Sequence, residues 1–155
     1  MSNSKKAALA DAARKLVQAQ KQAVLAVLKD DDGYPYAAAV DYLAGEQDDV
    51  IMLLSDLSEH SRYLQLDSRA SLLVAAGFVQ QNMLAEARVV LLGKVIQLED
   101  KSHWQDRYLA VHSQAEQYIG FADFKFFRFQ VEQVRYIAGF GKMAWLDATT
   151  YRDAG

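Results

Sequence analysis

The chain contains no cysteine. Disulfides, zinc–thiolate sites, iron–sulfur clusters and cysteine nucleophiles are therefore excluded. Basic residues are not in excess either: 17 Lys and Arg stand against 20 Asp and Glu, for a formal net charge of -3. A nucleic-acid partner recruited by a dominant basic surface is not expected. No apolar run approaches the length of a bilayer span, and the polar start Met1–Lys6 leads into an amphipathic run instead of a signal sequence. The expectation is a cytoplasmic protein without a membrane contact. The histidines, His60, His103 and His112, match no HExxH or related ligand spacing, so no metal held by protein ligands alone is expected. There is no Gly-x-Ser-x-Gly elbow and no GxGxxG or GxxxxGK[ST] loop. Gly139-Phe140-Gly141 has two of the glycines but follows no parallel unit. Any redox chemistry would come from a bound cofactor.

What is present fits one domain: 155 residues, 52% of them hydrophobic. Its expected parts are a helix over about 4–22, a barrel over about 23–146 and a short tail at 147–155. Ala8, Leu9, Ala12, Ala13, Leu16 and Val17 recur at helical spacing. Strands are expected at Ala23–Leu28, Tyr36–Leu43, Val50–Ser55, Ala70–Phe78, Arg88–Leu98, Phe124–Val131 and Gln133–Ala138, the first three forming an antiparallel meander. Asp30-Asp31-Asp32-Gly33 reads as a tight turn and not a calcium loop, because the alternating ligands and distant glutamate are missing. Short helices are expected at about 59–66 and 101–112, and Gln80-Gln81-Asn82 as a loop. Short connections favour an antiparallel Greek-key barrel over a doubly wound sheet. Several strands are apolar on both faces, so helices or a second subunit must cover the outer one.

The stretch Ser55-Asp56-Leu57-Ser58-Glu59-His60-Ser61-Arg62 concentrates hydroxyls, an imidazole and a guanidinium where a buried strand gives way to a helix. Asp56 with Glu59 three residues on matches a capping box. Free N–H groups at a helix start favour a phosphate or carboxylate, and Arg62 one turn in suits bidentate grip. Two further groups are candidates. Arg88 opens an apolar strand, and Trp145, with Phe140 and Lys142, offers a ring and a charge for a flat ligand.

Taken in order, these parts resemble a known family. Ser55-Asp-Leu-Ser-Glu-His-Ser-Arg62, Leu66-Asp-Ser-Arg-Ala-Ser71, Arg88-Val-Val-Leu-Leu-Gly93, Tyr118-Ile-Gly-Phe-Ala-Asp-Phe124 and Phe127-Arg-Phe-Gln-Val-Glu132 before Gly139-Phe-Gly141 are similar to the pyridoxamine-5′-phosphate-oxidase-like split-barrel superfamily, above all its haem-utilisation branch. The resemblance implies a mainly β, α+β fold: a six-stranded split barrel that forms a homodimer with cofactor sites between subunits. In its flavin-binding members the FMN phosphate site maps onto Ser55, Ser58, Ser61 and Arg62. In its haem branch a histidine near the C-terminus ligates iron, but here no histidine follows His112. Asp123, which supports that ligand in some relatives, is present. The arginine–histidine signature of vitamin B6 oxidation is not reproduced by Tyr151-Arg-Asp-Ala-Gly155.

Three readings follow. The first is an FMN-binding dimer acting as a flavin-dependent oxidoreductase on an unknown small substrate. The second is a haem-binding or haem-degrading protein, with His60 or His112 in place of the missing ligand. The third is a cofactor-free dimer serving as a binding or regulatory partner.

Overall fold

Alternating burial along the strands wraps the β-structure around an apolar centre. The computed structural model describes residues 2–76, 84–139 and 141–154. Its elements are α1 (Asn3–Ala19), β1 (Gln22–Leu28), β2 (Pro35–Asp41), β3 (Leu43–Ala44), β4 (Val50–Ser55), α2 (Glu59–Leu66), β5 (Arg69–Ala75), β6 (Arg88–Gln97), α3 (Ser102–Val111), β7 (Phe124–Ile137), β8 (Met143–Asp147) and α4 (Ala148–Arg152). The expected loop at Gln80–Asn82, the end of the strand expected to reach Phe78, and Phe140 lie outside the described residues.

Hydrogen-bonded neighbours run β2-β1-β5-β6-β7-β4-β3, and every pairing is antiparallel. β8 joins β7 off this path. Where the family resemblance implies six strands, the described residues form a path of seven with an eighth appended. β7 is the spine. Its first half pairs with β4 and its second half with β8, while β6 runs along its other edge. The strands expected at Phe124–Val131 and Gln133–Ala138 are this one strand, because nothing between them breaks an extended chain.

The expected meander of the first three strands is corrected. β1 and β2 do form a hairpin, closed by Lys29 Nζ on the carboxylates of Asp31 and Asp32 at 3.0 and 3.1 Å. β4, however, pairs with β7 and with the two-residue β3, not with β2. β2 and β3 are nearly one strand, interrupted at Tyr42. The chain pairs with β1 before that residue and with β4 after it. Tyr42 is fully buried, and its hydroxyl donates to the Val17 carbonyl at the end of α1 at 2.6 Å. The gap between β2 and β4 is where the barrel splits.

Two apolar clusters explain the continuous hydrophobicity of β4. Val50, Met52 and Leu54 face the barrel interior with Leu9, Ala13 and Val17 of α1. Ile51 and Leu53 face outward beneath Trp104 and Tyr108 of α3, with Ile119 and Phe126. The need for helices to cover an outer face is therefore met on this side. β6 bends at a register shift between Leu92 and Gly93. A Cβ at Gly93 would lie 1.9 Å from the Gln130 carbonyl oxygen, so only glycine fits where β6 crosses β7. The tail forms α4, capped by Asp147, and Tyr151 is 1% exposed. Among the described residues no helix is long and apolar enough to cross a membrane, and no group of three His, Asp or Glu side chains could hold a metal ion.

Candidate functional site

The stretch that joins β4 to α2 folds as a cap, with the capping residue two positions later than the capping-box pattern suggested and the helix starting at Glu59 as expected. Ser58 is the N-cap, its Oγ accepting from the Ser61 amide at 3.4 Å. Asp56 does not cap. Its Oδ2 meets Lys125 Nζ at 2.6 Å, and its amide donates to the Asp123 carbonyl at 2.7 Å. Ser55 Oγ donates to Asp123 Oδ2 at 2.7 Å and accepts from the Leu57 amide at 3.1 Å. Ser58 Oγ lies 2.7 Å from the Ser55 carbonyl and 2.8 Å from Ser61 Oγ, and Ser61 is fully buried. The three hydroxyls expected to cradle an anion are thus engaged within the protein. The surrounding charge is also unfavourable, since Asp56, Glu59 and Asp123 stand beside Arg62 and Lys125. Arg62 is exposed, its guanidinium 5.7 Å from the Tyr63 ring centroid and without an ion pair among the described residues.

Of this stretch Ser55, Ser58 and His60 line a groove, and His60 is the titratable group among them. It is half-buried, and burial holds its pKa below the usual imidazole value, so the neutral ring is favoured. Its Nε2 lies 3.3 Å from Ser58 Oγ. The Ser58 proton is directed to the Ser55 carbonyl at the shorter distance of 2.7 Å. Nε2 then carries its own hydrogen and Nδ1 keeps a lone pair. The ring lines a groove of about 240 Å³ that occupies the split between β2 and β4. Ala39 and Asp41 of β2, Ser55, Tyr108 and Tyr118 complete its wall. Burial raises the pKa of both tyrosines, and the Asp41 carboxylate adds to the effect, so they stay protonated hydrogen-bond donors. Asp41, Tyr108 and Tyr118 were not anticipated. They come from three distant segments, and only the fold brings them to His60.

The other histidines are engaged. His112 is 3% exposed, with Nε2 2.7 Å from the Tyr42 carbonyl. His103 Nε2 lies 3.1 Å from Glu46 Oε1 on the surface.

Arg88, Lys142 and Trp145 lie at the opposite end of β7 from Ser55. Ser55 pairs with Phe124, whereas Arg88 pairs with Ile137 and Trp145 with Arg135. Phe124 and Arg135 are eleven residues apart, about 36 Å along a strand. Arg88 donates to the carbonyls of Leu84 and Glu86 at 3.0 and 3.3 Å. Lys142 is exposed in the β7–β8 turn, where Ala138 N donates to the Lys142 carbonyl at 2.8 Å. Gly139 and Gly141 there have φ of 119° and 73°, which favour glycine. Trp145 is 53% exposed, with the Arg135 guanidinium 5.5 Å from its ring centroid. Within one chain, then, the structure does not gather the predicted residues into one site.

Comparison with known proteins extends the picture. Over 110 residues the chain is 31% identical to the chloroplastic non-canonical haem oxygenase HOZ of Arabidopsis thaliana, covering 70% of this chain and 33% of that protein. It therefore spans about a third of the length of this curated relative. A solved haem-binding protein from Mycobacterium smegmatis superposes with a TM-score of 0.82 at 30% identity, over 93% of this chain and 60% of that one. A FAD-binding protein from Mesorhizobium loti superposes with a TM-score of 0.64 at 22% identity, over 79% and 89% of the two chains, which is a likeness of fold. These relatives agree with the split-barrel superfamily and haem-utilisation branch inferred from the sequence motifs. The model of the CREG beta-barrel family matches residues 4–153. The chain belongs to the CREG beta-barrel family.

Proposed function

We propose that this protein binds haem as an isologous homodimer, in a cleft that each subunit builds only in part. The observation that carries the reading is His60, a half-buried imidazole that burial favours in its neutral form and whose ring lines the groove at the split of the barrel. A neutral imidazole with a lone pair is the donor that haem iron takes. The relatives at 30% identity or above, named for haem oxygenation and haem binding, point the same way. Bound haem would supply an iron able to bind and activate oxygen. The expected FMN has less support. The hydroxyls meant for its phosphate are engaged internally, and the flavin relative is similar at the level of fold.

The second subunit is suggested by the sheet's uncovered face. Cross-strand partners there run Ala39, Val24, Leu73, Val90, Arg135 and Trp145, each pairing with the next. All six are at least partly exposed, and none belongs to either apolar cluster. Such a strip is self-complementary when a two-fold axis lies in the contact plane and crosses the row. Each Arg135 then meets the Ala39–Asp41 end of the other sheet, where the charge is opposite. An axis along the row would set Arg135 against itself. Ala39 and Asp41 line the His60 groove. The partner subunit's Arg135 and Trp145 would therefore close it, offering a cation for a propionate and a ring face for the macrocycle. This also accounts for the groove's size, about 240 Å³ in one chain against roughly 300 Å³ or more for an ordinary ligand pocket.

Adding haemin to the purified protein should give a sharp Soret band that survives desalting and is lost in His60→Ala but retained in His103→Ala. A retained flavin band with no Soret response would overturn the reading.

A further inference from the structure

We propose a second site: the polar cavity between the C-terminal ends of α1 and α3 and the start of the β1–β2 ladder binds a small zwitterion of the α-amino-acid type. At about 430 Å³ it is larger than the His60 groove. Gln20, Lys21, Gln22, Asp41, His112 and Gln114 line it, backed by alanines and Val111.

His112 is the first observation. It is 97% buried, and its Nε2 hydrogen bond is to a carbonyl oxygen, which can only accept. Nε2 therefore carries the hydrogen, and in the neutral ring Nδ1 is an acceptor. No group among the described residues donates to Nδ1, which keeps contact with solvent where the ring lines the cavity. The second observation is charge. Lys21 and Asp41 line the same cavity at the first β1–β2 pairing, that of Gln22 with Asp41, yet neither has an ion-pair partner among the described residues and they do not pair with each other. Gln22 Nε2 donates to Asp41 Oδ1 at 3.0 Å, leaving Oδ2 and the glutamine oxygen as acceptors. The side-chain amides of Gln20 and Gln114 make no hydrogen bond among the described residues.

These groups constrain the ligand. A simple anion would face Asp41, a simple cation would face Lys21, and an apolar molecule would leave every one of these polar groups unpaired. An ammonium group can donate to Asp41 Oδ2 and His112 Nδ1. A carboxylate on the next carbon can accept from Lys21 and from the amides of Gln20 and Gln114. The remaining volume accommodates a side chain.

The test uses the haem-free protein, because Asp41 also lines the His60 groove. Amide and imidazole nitrogen spectra are followed as L-glutamine, glycine betaine, acetate or methylamine is added. L-Glutamine should give saturable shifts at Asp41, Tyr42 and the His112 ring. Betaine, which has both charges but no N–H, and the two singly charged probes should bind at least about tenfold more weakly. Lys21→Met, at an exposed position, should weaken L-glutamine about tenfold with thermal stability unchanged. No shift at His112, equal binding of betaine, or unaltered affinity in Lys21→Met would each overturn the proposal. None of these outcomes bears on haemin binding.

Discussion

Ser55 Oγ donates to Asp123 Oδ2 at 2.7 Å, tying the last residue of β4 to the residue before β7. The contact ties together the ends of two strands that pair along six residues, and it occupies the hydroxyl that the sequence pattern offers to an anion.

Ser55→Ala should therefore lower stability by about 1–2 kcal/mol, since a partly buried carboxylate loses its donor. Haemin affinity should fall less than about tenfold, since Ser55 lines the groove but its hydroxyl is turned to Asp123. Urea denaturation and a haemin titration on the same variant separate the two roles, and lost affinity at unchanged stability would return Ser55 to the ligand site.

Gly93→Ala is expected to be among the most damaging single changes of one methyl group. The added carbon would sit 1.9 Å from the Gln130 oxygen and 2.9 Å from its carbonyl carbon, both main-chain atoms that cannot rotate aside. The cost should reach about 3 kcal/mol or more, the upper end of overpacking. A urea midpoint close to that of the parent would show that the bulge can shift.

How much of this was legible in the sequence depends on the range of the interaction. The turn at Asp30–Gly33, the continuous burial of β4 and the helix after Ser58 follow from neighbours in the chain, and these were readable. The pairing of β4 with β7 was not. It joins residues about seventy positions apart, and a meander satisfies the same hydrophobic pattern. β8 was missed because Met143-Ala144-Trp145-Leu146 is short and alternates buried with exposed residues only once it lies on β7. The site divides in the same way. His60 stood out within a local motif, but Asp41, Tyr108 and Tyr118 are ordinary residues until the barrel's split brings them together. The hydroxyls misled because a cap and an anion cradle call for the same residue types.

The pH dependence of stability should carry a signature of His60. Burial lowers its folded pKa below the unfolded value of about 6.5. Between those two values the unfolded chain binds more protons than the folded one. Stability is then fully present above the unfolded pKa and falls as the pH drops toward the folded one. Replacing His60 with Gln should flatten the curve in that window. Urea midpoints measured from pH 7.5 down to 5 check this, and parallel curves for parent and variant would assign the slope to another group.

Leu73→Glu tests the two-subunit site without touching the barrel interior or His60. Leu73 is half-buried on the uncovered face, between Val24 and Val90 and near the middle of the row. Across a two-fold axis at that point, two introduced carboxylates would approach one another in an apolar contact, where like charges are most unfavourable. The chain should keep its circular-dichroism spectrum and become monomeric by light scattering. Because Arg135 and Trp145 lie too far along β7 to reach the His60 groove of their own chain, haemin affinity should fall at least about tenfold as the dimer is lost. His60→Ala gives the complementary result, a dimer that does not hold haemin. A Leu73→Glu monomer that retained haemin as tightly as the parent would place the entire site within one subunit.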